Sequence, residues 1–447
     1  MLISEATVLT VNGRDEILAP GWVRVVDGEI AEVSGRPLTR GAGEEEVEAR
    51  GTLLMPGFVN THTHLFQTLL RGVYEERPLA TYLDYIYRSG LELTREDSRI
   101  SAMLGSLEAV RAGTTTIVDH HFLNRISALA EATVEGMREV GVRSVLARTV
   151  MDMGDLLPRG VLEEPAEGLR AVEGLLERFA AERRSGMVTI MTGPNTPGVN
   201  ASDAAVVATR DFAKRHGIRR SAHVAEYRGA VESVRRKYGQ DGVVAWLDSL
   251  GALGADLLAV HAVQVRPDEV DALARTGTTI SHNPYSNLFC ADRNAPVSDY
   301  LKRGMAVGFG TDGGANNNAQ GVLDALRITR LLQRAHPSDA DAISPAKGIR
   351  MATIEGARAI GLDHLVGSIE PGKRADLAIL DYEDLPHTVP THDLVVQLVH
   401  SMKISDVRST LVDGRFLMRD RRVLTVDEPA VLKAASAAGK DLVRRLG

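Results

Sequence analysis

Cysteine is almost absent: Cys290 stands alone among 447 residues, so no intrachain disulfide can form and a reducing compartment is expected. No lysine- and arginine-rich run interrupts a chain of net charge −7, which argues against a nucleic-acid surface. No apolar stretch reaches the ~18 residues needed to span a bilayer. The first residues, Met1-Leu2-Ile3-Ser4-Glu5, have neither a basic n-region nor a long apolar core, so no signal peptide is expected. No Gly-x-Gly-x-x-Gly joins a strand to a helix, so a dinucleotide fold lacks support. Internal repeats and low-complexity linkers are also missing. What remains is the balance of a large soluble core, 44% hydrophobic and 25% charged. These features predict a cytoplasmic protein that binds neither nucleic acid nor membrane.

What is present has a rhythm. Strand-like segments recur at Leu53–His62, Thr115–Asp119, Val142–Arg148, Val188–Thr192, Ile218–His223, Leu257–His261, Thr278–His282 and Val307–Thr311. Amphipathic stretches such as Arg99–Ala112, Ile126–Val140 and Asp203–His216 lie between them. This alternation predicts an α/β protein, a (β/α)8 TIM-type barrel over residues 57–366, with an open doubly wound sheet as the alternative. Both chain ends read as β-rich, with hairpin signals at Asp27-Gly28 and Asp413-Gly414. Residues 1–56 and 367–425 are therefore expected to pair into one small β-sandwich, and residues 426–447 to form a helical tail.

Thr61-His62-Thr63-His64 closes the first strand candidate. Side chains two apart in a strand share a side, so both imidazoles can converge on one metal ion. Two histidines beside an apolar run are also often merely solvated or hydrogen-bonded. The rest of the chain decides between these readings: His223 ends the fifth strand candidate, His261 the sixth, and Asp312 follows the eighth. Strand C-termini face the active-site mouth of such barrels. Three histidines and a carboxylate with room for water describe a catalytic zinc-type site, where the metal would lower the pKa of bound water toward ~7 and supply hydroxide. Glu226 lies three residues past His223, close enough to reach that water without being a ligand; a surface carboxylate is the plainer alternative. His261 could be a ligand, an acid/base or an orienter, and the latter two are favoured.

Met55-Pro56-Gly57-Phe58-Val59-Asn60-Thr61-His62-Thr63-His64, His223-x-x-Glu226, His261, Ser281-His282-Asn283-Pro284-x-Ser286-Asn287 and Gly310-Thr311-Asp312-Gly313 together resemble the amidohydrolase superfamily. The resemblance is greatest to the aminohydrolase branch that holds S-adenosylhomocysteine/methylthioadenosine deaminases, triazine hydrolases and 8-oxoguanine deaminases. It runs through Gly367-Ser368-Ile369-Glu370-Pro371-Gly372-Lys373 and so covers nearly the whole chain. It implies a metal held by His62, His64, His223 and Asp312, a proton shuttle at Glu226, and His261 and Asp312 assisting as the leaving group departs. Binuclear members bridge two metals with a carboxylated barrel lysine. Here the first lysine is Lys214, so one divalent ion per chain is expected, Zn2+ before Fe2+.

Substrate is less legible. Where the resembling nucleoside deaminases grip ribose with a glutamate, this chain has Thr81, and where they carry a histidine it has Asn195. Gln67 could bond a heterocycle edge or simply line the mouth. Of His120 and His121 at most one can face the pocket. Arg148 matches an arginine that some relatives offer across a dimer interface, which implies a homodimer or higher homo-oligomer; it could equally be a salt-bridged strand end. The expected activity is hydrolytic deamination of an amino-substituted N-heterocycle. A nucleoside deaminase, a triazine-type chlorohydrolase and a catalytically silent binding or assembly relative are the alternatives.

Overall fold

The computed structural model describes residues 1–73, 79–154, 157–290, 293–335 and 342–447. Pro78, beside Thr81 in the sequence reading, lies outside them, and only the backbone of Leu79, Ala80 and Cys290 is described.

Among the described residues, eight parallel strands lie side by side in chain order: β1 Phe58–Thr63, β2 Thr114–His121, β3 Arg143–Val150, β4 Val188–Pro194, β5 Arg220–Val224, β6 Leu257–His261, β7 Thr279–His282 and β8 Val307–Phe309. Each is buried on both faces, which is why these segments read as near-continuous apolar or small-residue runs rather than alternating ones. Alternation still sorts the faces. Val59, Val118, Val145, Ala147, Met191, Leu258 and Val260 share one cluster inside the ring. Leu146, Val188 and Ile190 point the other way, against Val172, Leu175 and Phe212 of the surrounding helices. The ring closes where the amides of Thr311 and Asp312 both donate to the His62 carbonyl at 3.0 Å. This is the (β/α)8 barrel that the alternation predicts.

The strand expected over Leu53–His62 is two strands. Thr52–Pro56 pairs antiparallel with Leu377–Asp381, outside the barrel, and β1 begins at Phe58. Between them a Cβ on Gly57 would lie 2.1 Å from Thr115 Cγ2, so only glycine lets the chain pass this close to β2. Periodicity runs unbroken across the junction because both strands are buried.

The two chain ends meet in one nine-stranded mixed sheet. It curls on itself: a Cβ on Gly414 would stand 2.9 Å from Gly28 Cα, bringing the two hairpin turns together. Ile3, Val8, Val23, Leu54, Ile379 and Leu411 form its separate core. The final helix, Glu428–Leu446, lies over the segment after β1, where Arg445 pairs with Asp97 at 2.7 Å.

Barrel and end sheet are joined by a fully buried ion pair. Arg143, at the start of β3, donates Nε and Nη2 to the two carboxylate oxygens of Asp376, each at 2.8 Å, and Nη1 to the Gly186 carbonyl at 2.7 Å. A buried guanidinium without its carboxylate is strongly destabilising. Asp376→Ala is therefore expected to cost about 3–5 kcal/mol, read as a lower urea midpoint with an unchanged slope.

Candidate active site

Four strand ends deliver the site. β1 contributes His62 and, one residue beyond it, His64; β5 contributes His223, β6 His261, and the turn after β8 Asp312. All are at least nine-tenths buried. His261 (φ 70°), Asp312 (φ 60°) and Ala225 (φ 49°) hold left-handed backbone conformations unusual for residues with side chains. Local strain of this kind persists where surrounding structure imposes it, commonly at functional sites.

Three pairs of candidate ligand atoms stand at coordination spacing. His64 Nε2 lies 3.3 Å from His223 Nε2, and Asp312 Oδ1 lies 3.3 Å from His62 Nε2 and 3.2 Å from His64 Nε2. With metal–ligand bonds of ~2.0–2.1 Å at tetrahedral angles, ligand atoms sit about 3.3–3.4 Å apart. Among the described residues, both ring nitrogens of His62 are buried without a hydrogen-bond partner, a cost that a bound cation would offset at Nε2. His64 Nδ1 donates to the His120 carbonyl at 2.7 Å and His223 Nδ1 to the Asn195 carbonyl at 3.1 Å. Each bond fixes the tautomer that leaves Nε2 free to bind a metal. The donor set fits one divalent ion.

Electrostatics agree. Burial pushes His62 down to about 4 and lowers His64 and His223 as well, so all three rings are neutral and able to ligate. Burial would raise Asp312, but the His62 imidazole beside it, with His64 and His261, holds its carboxyl well below the usual carboxylate range. Glu226 is the opposite case: burial raises its carboxyl. Its Oε1 stands 3.7 Å from His261 Nε2.

The remaining sequence candidates divide. His120 faces the cluster, its ring between Ser221 Oγ and Asn195 Oδ1, both at 3.0 Å. His121 points away, beside Asp119. Asn195 thus serves two histidines, through its carbonyl and its side chain. Gln67 is buried, its Oε1 accepting from the Tyr82 hydroxyl at 2.9 Å, and a Cβ on Gly313 would overlap that oxygen at 1.7 Å. It therefore buttresses the turn carrying Asp312. Thr81 is exposed on the helix Leu79–Glu92. Arg148 turns outward, bound twice to Glu163 (2.9 and 2.7 Å) and to the Gly168 carbonyl (3.1 Å). The structure does not bring Thr81 and Arg148 to the cluster.

Sequence reasoning passed over the wall above it. Phe122 packs edge-on to His64 with ring centroids 4.9 Å apart, and Tyr87 lies 6.0 Å from Phe122. The Tyr87 hydroxyl accepts from Asn200 Nδ2 at 3.2 Å, and burial pushes it up to about 12, with Glu226 adding to the rise. Burial likewise raises Tyr227, the residue after Glu226. Only Phe122 and Tyr227, each one residue from a site candidate, carried a signal in the sequence.

His223→Ala removes a ligand and should abolish tight metal binding, whereas Glu226→Gln should leave it intact. Elemental analysis of desalted protein checks both, and about one ion per natural chain is expected; two tightly held ions would refute the mononuclear assignment.

Residues 53–417 match the amidohydrolase family. The chain is 32% identical to a 5'-deoxyadenosine deaminase of Methanosarcina mazei over 448 residues, covering 100% of this chain and 99% of that protein. It is 36% identical to a 5-methylthioadenosine/S-adenosylhomocysteine deaminase of Thermococcus onnurineus, covering 84% of this chain and 85% of that one. Among solved structures it resembles a zinc-bound adenosine deaminase of Xanthomonas campestris (TM-score 0.91, 27% identity, 99% of this chain and 98% of that one). It also resembles an atrazine chlorohydrolase of Arthrobacter aurescens complexed with zinc (TM-score 0.89, 25% identity, 98% and 99%). With three strand ends converging on one candidate ligand set and a match spanning most of its length, the chain belongs to the amidohydrolase family.

Proposed function

We propose that this protein is a mononuclear zinc enzyme that deaminates a small amino-substituted heterocycle, an oxopurine, pterin or triazine, in preference to a nucleoside. The chain is a metal-dependent hydrolase of C–N bonds, a deaminase of an amino-substituted N-heterocycle. The observation that carries the reading is the placement of the Glu226 carboxylate 3.7 Å from His261 Nε2, beside the candidate ligand cluster.

A zinc ion held by His62, His64, His223 and Asp312 would supply Lewis acidity and bring a water's pKa toward ~7. The protein's own groups do the rest. Glu226 accepts a proton from the attacking water and delivers it to a ring nitrogen. The ring carbon gains the oxygen, and the amino group leaves as ammonia with a proton passed by way of His261 and Asp312.

One substitution at the cluster supports the bare ring: Asn195 stands where the resembling nucleoside deaminases carry a histidine, and its Oδ1 is taken by His120 Nε2 at 3.0 Å. A site built to bind hydroxyls rejects analogues without them, because its own polar groups are left unpaired. A site without that grip has no such reason to prefer ribose. The second reading, a 5'-substituted adenosine deaminase, is favoured by the names of the relatives. We further infer a cytoplasmic homodimer or higher homo-oligomer. A single cysteine supports the first part. The exposed Leu288, Phe289 and Leu331, on helices following β7 and β8, support the second.

Glu226→Gln should lower kcat by ~10²–10⁴-fold while the metal stays bound. In competition assays kcat/KM should be higher on a bare amino-oxopurine, aminopterin or amino-triazine than on adenosine, methylthioadenosine or S-adenosylhomocysteine. Preference for any of the three nucleosides would establish the second reading.

A further inference from the structure

His261 presents a buried Nε2 with no hydrogen-bond partner among the described residues, 3.7 Å from Glu226 Oε1 and 3.8 Å from Asp312 Oδ2. Its far nitrogen, Nδ1, lies 2.9 Å from Asn287 Oδ1. Asn287 sits in the helix Pro284–Cys290 directly after β7, and its Nδ2 lies 3.4 Å from Nδ1 of His282, the last residue of β7. All three side chains are buried. Asn283 Nδ2 is a rival neighbour of His261 Nδ1, but at 3.3 Å it is the more distant, and it also donates to the Ser281 carbonyl at 3.4 Å.

A neutral imidazole carries one N–H, so the partner at one nitrogen decides what the other offers. An amide has two faces, oxygen and NH2, and turning it over reverses the pattern along the row. With Oδ1 toward His261, Nδ1 carries the hydrogen and Nε2 keeps its lone pair toward the reacting centre. With Nδ2 toward His261, the hydrogen would sit on Nε2 and the lone pair would be lost. His282 can hold the first arrangement by accepting from Nδ2. Its ring is neutral, since burial pushes it down to about 3.

We propose that Asn287 and His282 are positioning residues that lock His261 in the tautomer hydrogenated at Nδ1, so that Nε2 enters the reaction as a proton acceptor. The inference rests on the deaminase reading for its consequence in turnover, but not for the tautomer itself. Asn287→Leu removes the acceptor, and kcat should fall about 100-fold, with KM and zinc content little changed. Asn287→Asp keeps an acceptor at both oxygens and has no direction to lose, so it should retain most of kcat. His282→Phe should then lower kcat about tenfold in the natural chain and hardly at all in the Asn287→Asp background.

The direct readout is 15N NMR of histidine-labelled protein, metal-free and zinc-loaded, with the His261 signals assigned by substitution. The natural chain should show His261 hydrogenated at Nδ1, and His282→Phe a mixture. A natural chain hydrogenated at Nε2, or equal losses from His282→Phe in both backgrounds, would overturn the proposal. Absence of turnover on every heterocycle, with the Nδ1 tautomer observed, would instead count against the deaminase reading alone. The tautomer is read in the natural protein, and a His261 substitution serves only to identify its signals.

Discussion

The closure of the barrel at the His62 carbonyl governs the rest of the site. Thr311 and Asp312 both donate their amides to it, and this sets the carboxylate of Asp312 against the rings of His62 and His64. Nearby groups hold the same seam. Asn60 Nδ2 donates to Thr311 Oγ1 at 2.8 Å and to Gln320 Oε1 at 3.2 Å, while Thr63 Oγ1 donates to the Asp312 carbonyl at 2.8 Å. Residues 250 positions apart in the chain thus become one rigid unit. A shift of this seam by a fraction of an ångström would break the ~3.3 Å ligand spacing that a tetrahedral ion needs.

Orientation of the ligands is delegated to backbone carbonyls. His64 leans on the carbonyl of His120 and His223 on that of Asn195, groups supplied by the neighbouring strands β2 and β4. A carbonyl carried by a strand end has little freedom, so the ligand rings inherit the rigidity of the barrel. Asn195 and His120 extend this shell sideways through their own side chains. Their proximity to the cluster is therefore accounted for without any contact to substrate. Gln67 is similar: held by Tyr82 and pressed on Gly313, it supports the turn bearing Asp312.

Much of this was legible beforehand, for identifiable reasons. The barrel is written in local periodicity, and the ligands sit at strand ends because strand C-termini share one mouth. The division of Leu53–His62 into two strands was not legible, because a buried strand in the end sheet and a buried strand in the barrel have the same composition. Arg148 was ambiguous for a related reason. Strand alternation gives two sides but not which faces the axis, and only the position of Ala147 inside the ring shows that Arg148 is outside it. Thr81 lay in a segment aligned by resemblance alone, where helix phase rather than spacing decides exposure.

The sequence by itself determined the fold class and set His62, His64, His223, Glu226, His261 and Asp312 at or just beyond the carboxyl ends of four barrel strands. These depend on short-range pattern: period two within strands, His-x-His on one face, and His-x-x-Glu across a strand end. Tertiary structure alone decided which polar neighbours orient those groups. The pairings of His64 with His120, His223 with Asn195, and His261 with Asn287 span 56, 28 and 26 residues. Contacts of that kind are set by barrel closure and by the path of the loops, and local sequence pattern does not carry that information.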